Sequence, residues 1–393
     1  MVDLKRVLVA APLWPGSTAV PRTNGLRALG LEVTTLDTSD WWGGVPGLLC
    51  SLAVRVYCTA SVRAMNQSLL RAAAENHPDV LWIDKGFWVY PWTLKAARRH
   101  ARFLVHHTQD DAFGKLEYAW LYRLGIGLYD LHLTTNRFNV MELPDKYGVR
   151  VVRAGMGYDQ DFHVPQPVVV PDAAKIVFIG HWEPHSEEYV RALRRAGFEV
   201  EVWGQNWRKA RHPEFRSARP LFGSGYLSTI AGAAIALCFL SRNNRNESTM
   251  RSFEIPAMAA FMLAERTREH EYIYGDGVGA AFFSNSGELL EKARYYLEHE
   301  EERRTIAATG HARCMALGLS WQDHMRREWL ITERLLLGGA LQEEDDQPFW
   351  HGFRTGAPFA PAHGAGAAGC ARPHVNERHR RCKELPRPPL RRL

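Results

Sequence analysis

Short, unbroken apolar runs recur along the chain, each followed by a loop bearing glycine or charge and then by apolar residues at helical spacing. Residues 6–11 (RVLVAA) are the first, and residues 32–37 (EVTTLD) read as the next strand. Continuous rather than alternating hydrophobicity marks strands covered on both faces, as in parallel sheets flanked by helices. Between these two lies the loop PLWPGST, then a helix through Leu26 and Leu29 closed by Gly30. Strand, glycine loop, helix, strand is half of a doubly wound unit. Runs at 78–83, 102–106, 129–135 and 150–154 continue it, with helices over 62–74, from Pro91, and from Asn136 as N-cap through Leu143. Pro165, Pro167 and Pro171 predict an extended crossing and a domain boundary near residue 170. The pattern then restarts with strands at 174–180, 199–203, 234–240, 261–264 and 280–283, and helices at 187–196 (stopped by Gly197) and 226–230. Residues 286–337 read as helical, broken at Gly310 and Gly318, with a last helix placed to cross back to the first domain. The fold class is α/β, with doubly wound Rossmann-like domains over 1–170 and 171–340.

Composition narrows this picture. With 46% apolar and 23% charged residues, 393 residues suit two soluble domains that each bury a core. No apolar run is long enough to span a membrane, and the N-terminus reads as a first strand rather than a signal peptide. The most apolar candidate, 45–58, is interrupted by Arg55 and predicts a core helix, or one beside a ligand-binding cleft, with superficial membrane contact as the alternative. Six cysteines (50, 58, 238, 314, 370, 382) form no CxxC pair, which predicts reduced thiols in a cytoplasmic protein. The basic balance belongs to the end of the chain. Residues 351–393 hold nine Lys and Arg against two Asp and Glu, leaving 40 basic and 41 acidic groups in the first 350, a net of −1. Specific nucleic-acid binding by the folded body is therefore not expected. Residues 341–393, rich in Pro, Gly and Arg, predict a disordered tail.

Candidate chemistry collects in the loops after the strands, the edge where α/β folds bind ligands. Gly16 and Ser17 stand in the first loop, as a tight turn or a ligand contact; without GxGxxG there is no dehydrogenase fingerprint. Asp84-Lys85-Gly86 follows the third strand. The cluster HHTQDD (106–111) has three readings. Adjacent histidines rarely ligate one metal ion. Asp110 or Asp111 can cap a helix over 112–124. His107 or Asp110, with Asp111 beside them, can hold or deprotonate an acceptor hydroxyl. The stretch 249–283 opens as a loop turning into a short helix, with Ser252 as N-cap and Pro256 tolerated in the first turn. Arg251, three residues before Glu254, suits a nucleotide, the cation for diphosphate and the carboxylate for ribose hydroxyls. The alternative is a helix-start charge serving backbone donors.

The segments RSFEIPA, FMLAERTREH and GVGAAFFSNSGELLEKARYYLEHEEERRTIAATGHAR resemble the C-terminal half of CgeB-like glycosyltransferases, which have the two-domain GT-B fold and are of the family-1 type. The resemblance runs from Lys5 to about Leu337 and is most specific between Arg251 and Arg313. It includes PDVLWIDKG, the Asp110-Asp111 pair, the GYD segment with Tyr158 and Asp159, and Gly204-x-x-Trp207. It implies metal-independent transfer of a sugar from a nucleotide-sugar donor to an acceptor hydroxyl (of a glycan, protein or small molecule), with no cofactor. It places the donor at Gly180, His181, Gly204, Trp207, Arg251, Ser252, Phe253 and Glu254, and sets Gly16, Ser17, Lys85, Tyr158 and Asp159 along the cleft. Three positions depart from the pattern: Ser186 where a basic residue is expected, Asn246 where a first glutamate would stand (Glu247 is one place off), and Ala259 in place of glycine. They keep two other readings open, a nucleotide-sugar epimerase and an inactive nucleotide-sugar-binding protein.

Overall fold

Eleven parallel strands among the described residues form two sheets. The first joins β1 (Arg6–Ala11), β2 (Glu32–Asp37), β3 (Val80–Asp84), β4 (Phe103–Thr108), β5 (Leu131–Thr134) and β6 (Val151–Arg153) in the order β2-β1-β3-β4-β5-β6. The second joins β7 (Asp172–Ile179), β8 (Val200–Trp203), β9 (Ala233–Cys238), β10 (Met262–Glu265) and β11 (Ala281–Phe283) in the order β11-β10-β9-β7-β8. This is a computed structural model, and it describes residues 5–14, 16–39, 59–113, 120–166, 172–242, 244–342 and 345, all within one compact unit, Met1–Ala357. The apolar runs become strands because helices cover both faces: every residue of β3, β4, β5 and β9 is buried. In each sheet the order reverses once, between β1 and β3 and between β7 and β9. Loops leave in opposite directions there and open a crevice at the strands' C-terminal ends.

The helices follow the sequence pattern with three corrections. Ser286–Glu298 and Glu300–Ala316 meet at His299, so the expected break at Gly310 falls inside a helix. Gly310 serves packing instead, since a Cβ there would lie 2.3 Å from the Gly279 carbonyl oxygen. The helix Arg251–Ala257 is capped at Met250, not Ser252, whose hydroxyl accepts from Thr249 N–H (3.0 Å). Pro256 lies beyond the first turn. The Ser252 carbonyl that a proline cannot serve accepts from the Tyr274 hydroxyl at 2.6 Å. Asn136 caps Arg137–Tyr147 as expected, accepting from the N–H groups of Phe138 and Asn139.

The last helix, Trp321–Leu336, does return to the first sheet. Met325, Trp329, Ile331 and Leu335 share a core with Val7, Val9 and Leu26. A Cβ at Gly25 would stand 2.9 Å from the Met325 side chain, so the first and last helices approach through that glycine. Outgoing and returning chains run side by side: Trp321 N–H donates to the Tyr158 carbonyl (2.9 Å) and Tyr158 N–H to that of Leu319 (3.3 Å). A side chain at Gly157 would meet Leu319 O at 2.6 Å.

The expected boundary near residue 170, the candidate helix at 45–58, part of the helix expected over 112–124, and the tail apart from 341, 342 and 345 lie outside the described residues. Cys238 and Cys314 are free and buried. Among the described residues no helix is long and apolar enough to cross a membrane.

Candidate active site

On the second sheet the site begins where β7 ends. Trp207, fully buried against Phe178 and Phe215, donates its indole N–H to the Gly180 carbonyl (2.9 Å). Gly204 passes so close that a Cβ would sit 1.8 Å from that oxygen, and its φ of 145° also demands glycine. Gly180, Gly204 and Trp207 thus fix the shape of this loop, and Trp207 offers no surface to a ligand. Arg251 leans across the end of β7, donating from Nε to the Ile179 carbonyl (3.1 Å), with its guanidinium over the Tyr226 ring. About a third of its side chain, 31%, is open to solvent. Glu254 accepts from the Tyr226 hydroxyl at 2.7 Å and lies 3.7 Å from both Arg251 Nη1 and His163 Nε2. Partial desolvation and the Arg251 cation push the nearby His181 imidazole below its ordinary value. Ser252 and Phe253 face inward: the serine hydroxyl bonds His270 Nε2 (2.7 Å), and Phe253 is core. His163 and Tyr226 were not singled out in the sequence, since they stand far from Glu254 along the chain and carry no motif.

The first sheet contributes the loops after β1, β3 and β4. Lys85 and Gly86 both have left-handed backbones (φ 64° and 62°), turning the chain sharply at the strand end. Asp84 is buried and paired with Arg22. Burial alone would raise its carboxyl, but Arg22 and His107 hold it well below the usual range. His107 does not reach the cleft. At 0% exposure it lies between Asp84 Oδ1 and Glu328 Oε2, each 3.9 Å away, and stacks on Trp82. Burial and the Arg22 charge push this imidazole below its ordinary value, leaving it a neutral core group. Asp111, 2% exposed, is also removed from the opening; its carboxylate accepts from Phe113 N–H (3.0 Å) and from Arg245. Asp110 alone of the three faces outward, 3.4 Å from Lys85 Nζ, and accepts from Asn244 Nδ2 at 3.2 Å. It lies at a cavity of about 590 Å³ outside the C-terminal ends of β1 and β3, lined also by Gly16, Ser17 and Lys85. A carboxylate beside an ammonium at a cavity mouth can accept a proton; a partly open guanidinium can meet an anion.

Contacts between the lobes join these two groups of residues. Gln109, adjacent to Asp110, directs its amide at the sulfur of Met250, adjacent to Arg251 (4.0 Å). Phe222, just before the helix that carries Tyr226, lies over Gly16 and edge-on to Trp14. Residues 244–247 grip the first lobe beside them. Asn246 accepts from Asn136 (2.9 Å) and donates to the Gln109 carbonyl (3.3 Å), while Glu247 pairs with Arg137 (2.9 Å). The departure at Asn246 is therefore a bridging residue. Ser186 is buried, and Ala259 holds a left-handed φ of 54° just after its helix, where glycine would fit without strain. Tyr158 and Asp159 lie at the chain crossing: Tyr158 is buried, and Asp159 N–H donates to His163 Nδ1 (3.0 Å). Among the described residues no three His, Cys, Asp or Glu stand close enough to hold a metal ion.

A family model described as glycosyl transferase-like matches residues 184–327. A search of the curated proteins finds none that matches this sequence. Solved structures resemble the chain over most of its length. Sucrose-phosphate synthase from Thermosynechococcus elongatus is 10% identical with a TM-score of 0.61, covering 85% of this chain and 100% of its own. The Anabaena HepE protein in complex with UDP-glucose is 12% identical with a TM-score of 0.57, covering 84% and 99%. A Listeria monocytogenes protein assigned as a UDP-N-acetylglucosamine 2-epimerase is 12% identical with a TM-score of 0.51, covering 86% and 98%. At these identities the likeness establishes the fold, which is that of the GT-B glycosyltransferases.

Proposed function

We propose that the chain transfers a sugar from a nucleotide-sugar donor, bound on the second lobe at Arg251 and Glu254, to an acceptor hydroxyl presented beside Asp110 on the first. The observation that carries this reading is the Gln109–Met250 contact (4.0 Å), which joins a residue lining the first-lobe cavity to the residue that precedes Arg251. The family match over 184–327 and the UDP-glucose bound by the Anabaena protein support it. The domains are 1–170 and 171–340, and the 251–313 motif run favours a CgeB-like, hexose-transferring subtype.

In this reading Glu254, oriented by Tyr226 and His163, accepts the ribose hydroxyls. The bond between the sugar's anomeric carbon and the diphosphate oxygen breaks, and the electron pair leaves with the diphosphate. The Arg251 guanidinium stabilises that charge without a metal ion. The acceptor oxygen forms the new bond to the anomeric carbon and releases its proton to the Asp110 carboxylate. Closure of the lobes excludes water that would otherwise compete.

The test is an incubation with UDP-, GDP-, dTDP- and CMP-hexoses in the presence and absence of an acceptor mixture, with products separated by mass spectrometry. Nucleoside diphosphate and a glycosylated product that form only with acceptor support transfer. A second reading, epimerisation, is favoured by the Listeria likeness. An isomeric donor sugar formed without acceptor would replace transfer by that activity. Donor binding with no turnover would mark an inactive relative.

A further inference from the structure

The cavity between the β1 and β3 loops has an asymmetric wall. Its volume, about 590 Å³, is that of a site for a compact organic molecule. Its inner lining includes Leu69, Ile83, Phe87 and Val89, all buried hydrocarbon side chains, with the Met65 thioether beside them. Leu36 extends the same apolar surface. Polar side chains among the described lining residues gather at the loops, and several are already engaged with one another. The Ser17 hydroxyl accepts from Ala19 N–H (3.2 Å), Thr18 donates to Gln109 Oε1 (3.2 Å), and Asp84 is held by Arg22. Asp110, with Lys85 at 3.4 Å, remains as the charged pair at the opening.

An oligosaccharide carries hydroxyls around its whole perimeter. Placed here, those facing the described hydrocarbon side chains would lose water without gaining a partner there, which is unfavourable for each one. A flat apolar body would instead replace water along that wall and need only one polar contact, at the rim. We infer that the acceptor is a compact, apolar, ring-bearing alcohol or phenol whose single hydroxyl points to Asp110, rather than a glycan. This rests on the transfer reading for the fate of that hydroxyl; the apolar selectivity of the cavity is testable without it.

The experiment titrates the full chain calorimetrically with 2-naphthol, cellotriose and UDP, each alone, and repeats the titrations with Thr38→Trp. Thr38 lines the cavity and is only half-buried, so a tryptophan there fills the space with little demand on the core. The expected result is saturable one-to-one binding of 2-naphthol at least tenfold tighter than cellotriose. Thr38→Trp should weaken it tenfold or more while melting temperature and UDP affinity stay unchanged. Equal or tighter binding of cellotriose overturns the inference, and so does 2-naphthol binding that Thr38→Trp leaves intact, since it would lie elsewhere. Should the variant fold poorly, Thr38→Phe poses the same question. UDP bound without 2-naphthol would sink this inference and spare the transfer reading. 2-Naphthol bound as expected, with no binding of UDP, GDP, dTDP or CMP titrated in the same way, would sink the transfer reading and spare the apolar site.

Discussion

Arg245 donates from Nε and Nη2 to both carboxylate oxygens of Asp111, at 2.5 and 2.9 Å, across the two lobes. The same guanidinium reaches Glu142 (2.8 and 3.0 Å) and covers the Phe138 ring. The two ends are not equivalent. Arg245 keeps 39% of its side chain in solvent, whereas Asp111 is enclosed, so removing the arginine strands a buried carboxylate. Arg245→Ala is therefore expected to destabilise the protein more than Asp111→Ala, by about 1–3 kcal/mol after allowance for solvent screening. Urea unfolding of both variants checks the order. Small-angle scattering should show a larger radius of gyration for Arg245→Ala if the grip holds the lobes together.

Asp110 and His107 separate chemistry from packing. Asp110→Asn removes the proposed base at the cavity mouth and should lower the transfer rate by about 10²–10⁴-fold. Donor affinity should stay within about twofold. His107→Ala empties a buried space against Trp82, so it should lower the melting temperature and leave the rate per folded molecule largely unchanged. Single-turnover rates and donor calorimetry, normalised to folded protein, decide. A His107→Ala loss equal to that of Asp110→Asn at full folding would reverse the assignment.

Why the sequence separated these two residues poorly is a matter of burial. In a sheet covered on one face, alternation tells inside from outside. Both faces of β4 are covered, and His106 and His107 are equally enclosed. A polar residue near the end of such a strand can serve the core as readily as the site. His106 in fact lies 3.0 Å from His132, Nδ1 to Nδ1, deep in the sheet. Most strands were legible because buried parallel strands read as apolar runs: β1 falls on the expected residues, β2 does so as well although it is a partly exposed edge strand, and the others shift by one or two at their ends. What the pattern could not carry was partnership over distance. Nothing local to Arg22 announces Asp84, and nothing near Tyr226 announces Glu254. Gly310 misled for a related reason, since its role is set by Gly279 packed against it and not by its own helix.

Gly204 should be nearly irreplaceable. A Cβ would stand 1.8 Å from the Gly180 carbonyl oxygen, which Trp207 already engages, and φ is 145°. Gly204→Ala is expected to cost on the order of 3 kcal/mol or more, from a backbone clash combined with strain. Gly197 is the control: its φ is 88° but a Cβ would meet nothing within 4 Å, so Gly197→Ala should cost about 1–2 kcal/mol. Comparable midpoints for the two variants in urea would show that the loop can move away.

Stability should fall between about pH 6.5 and pH 8. Burial pushes the Glu328 carboxyl up from 4.5 to about 8, against the pull of Arg22 and Arg327 and with Asp84 adding to the rise. Burial also raises Glu269 to about 7, against Arg153. Each holds a proton in the folded chain that the unfolded chain has released. Their contribution is fully present below about pH 4.5 and is lost as pH rises through the folded values, at about 1.4 kcal/mol per unit for each group. The buried histidines act on the other side. His106 is pushed down to about 3, and His132 and His270 to about 4, chiefly by burial, so they destabilise the fold only as pH drops below about 6.5. Glu328→Gln keeps the shape and removes one titration. Its stability from pH 7 to 8 should be nearly flat where the wild type declines; parallel curves would remove Glu328 from this role.

Arg251 and Glu254 carry the sharpest test of the proposed donor site. Glu254→Gln preserves size and hydrogen-bonding capacity but replaces a charged acceptor by a neutral one, so nucleotide affinity should weaken by about 1–2 kcal/mol. Because the carboxylate also accepts from Tyr226 and lies 3.7 Å from Arg251, some loss of stability should accompany it. Arg251→Ala removes a guanidinium that is 31% exposed at the end of β7. If that group meets the diphosphate, nucleoside diphosphate binding should fall much more than binding of the bare nucleoside. If both residues only brace the start of a helix, melting temperatures drop while affinities per folded molecule stay level. Calorimetry of wild type and both variants with uridine and UDP distinguishes the two. The decisive quantity is the ratio of the two affinities, because a structural defect lowers both ligands together and leaves that ratio unchanged.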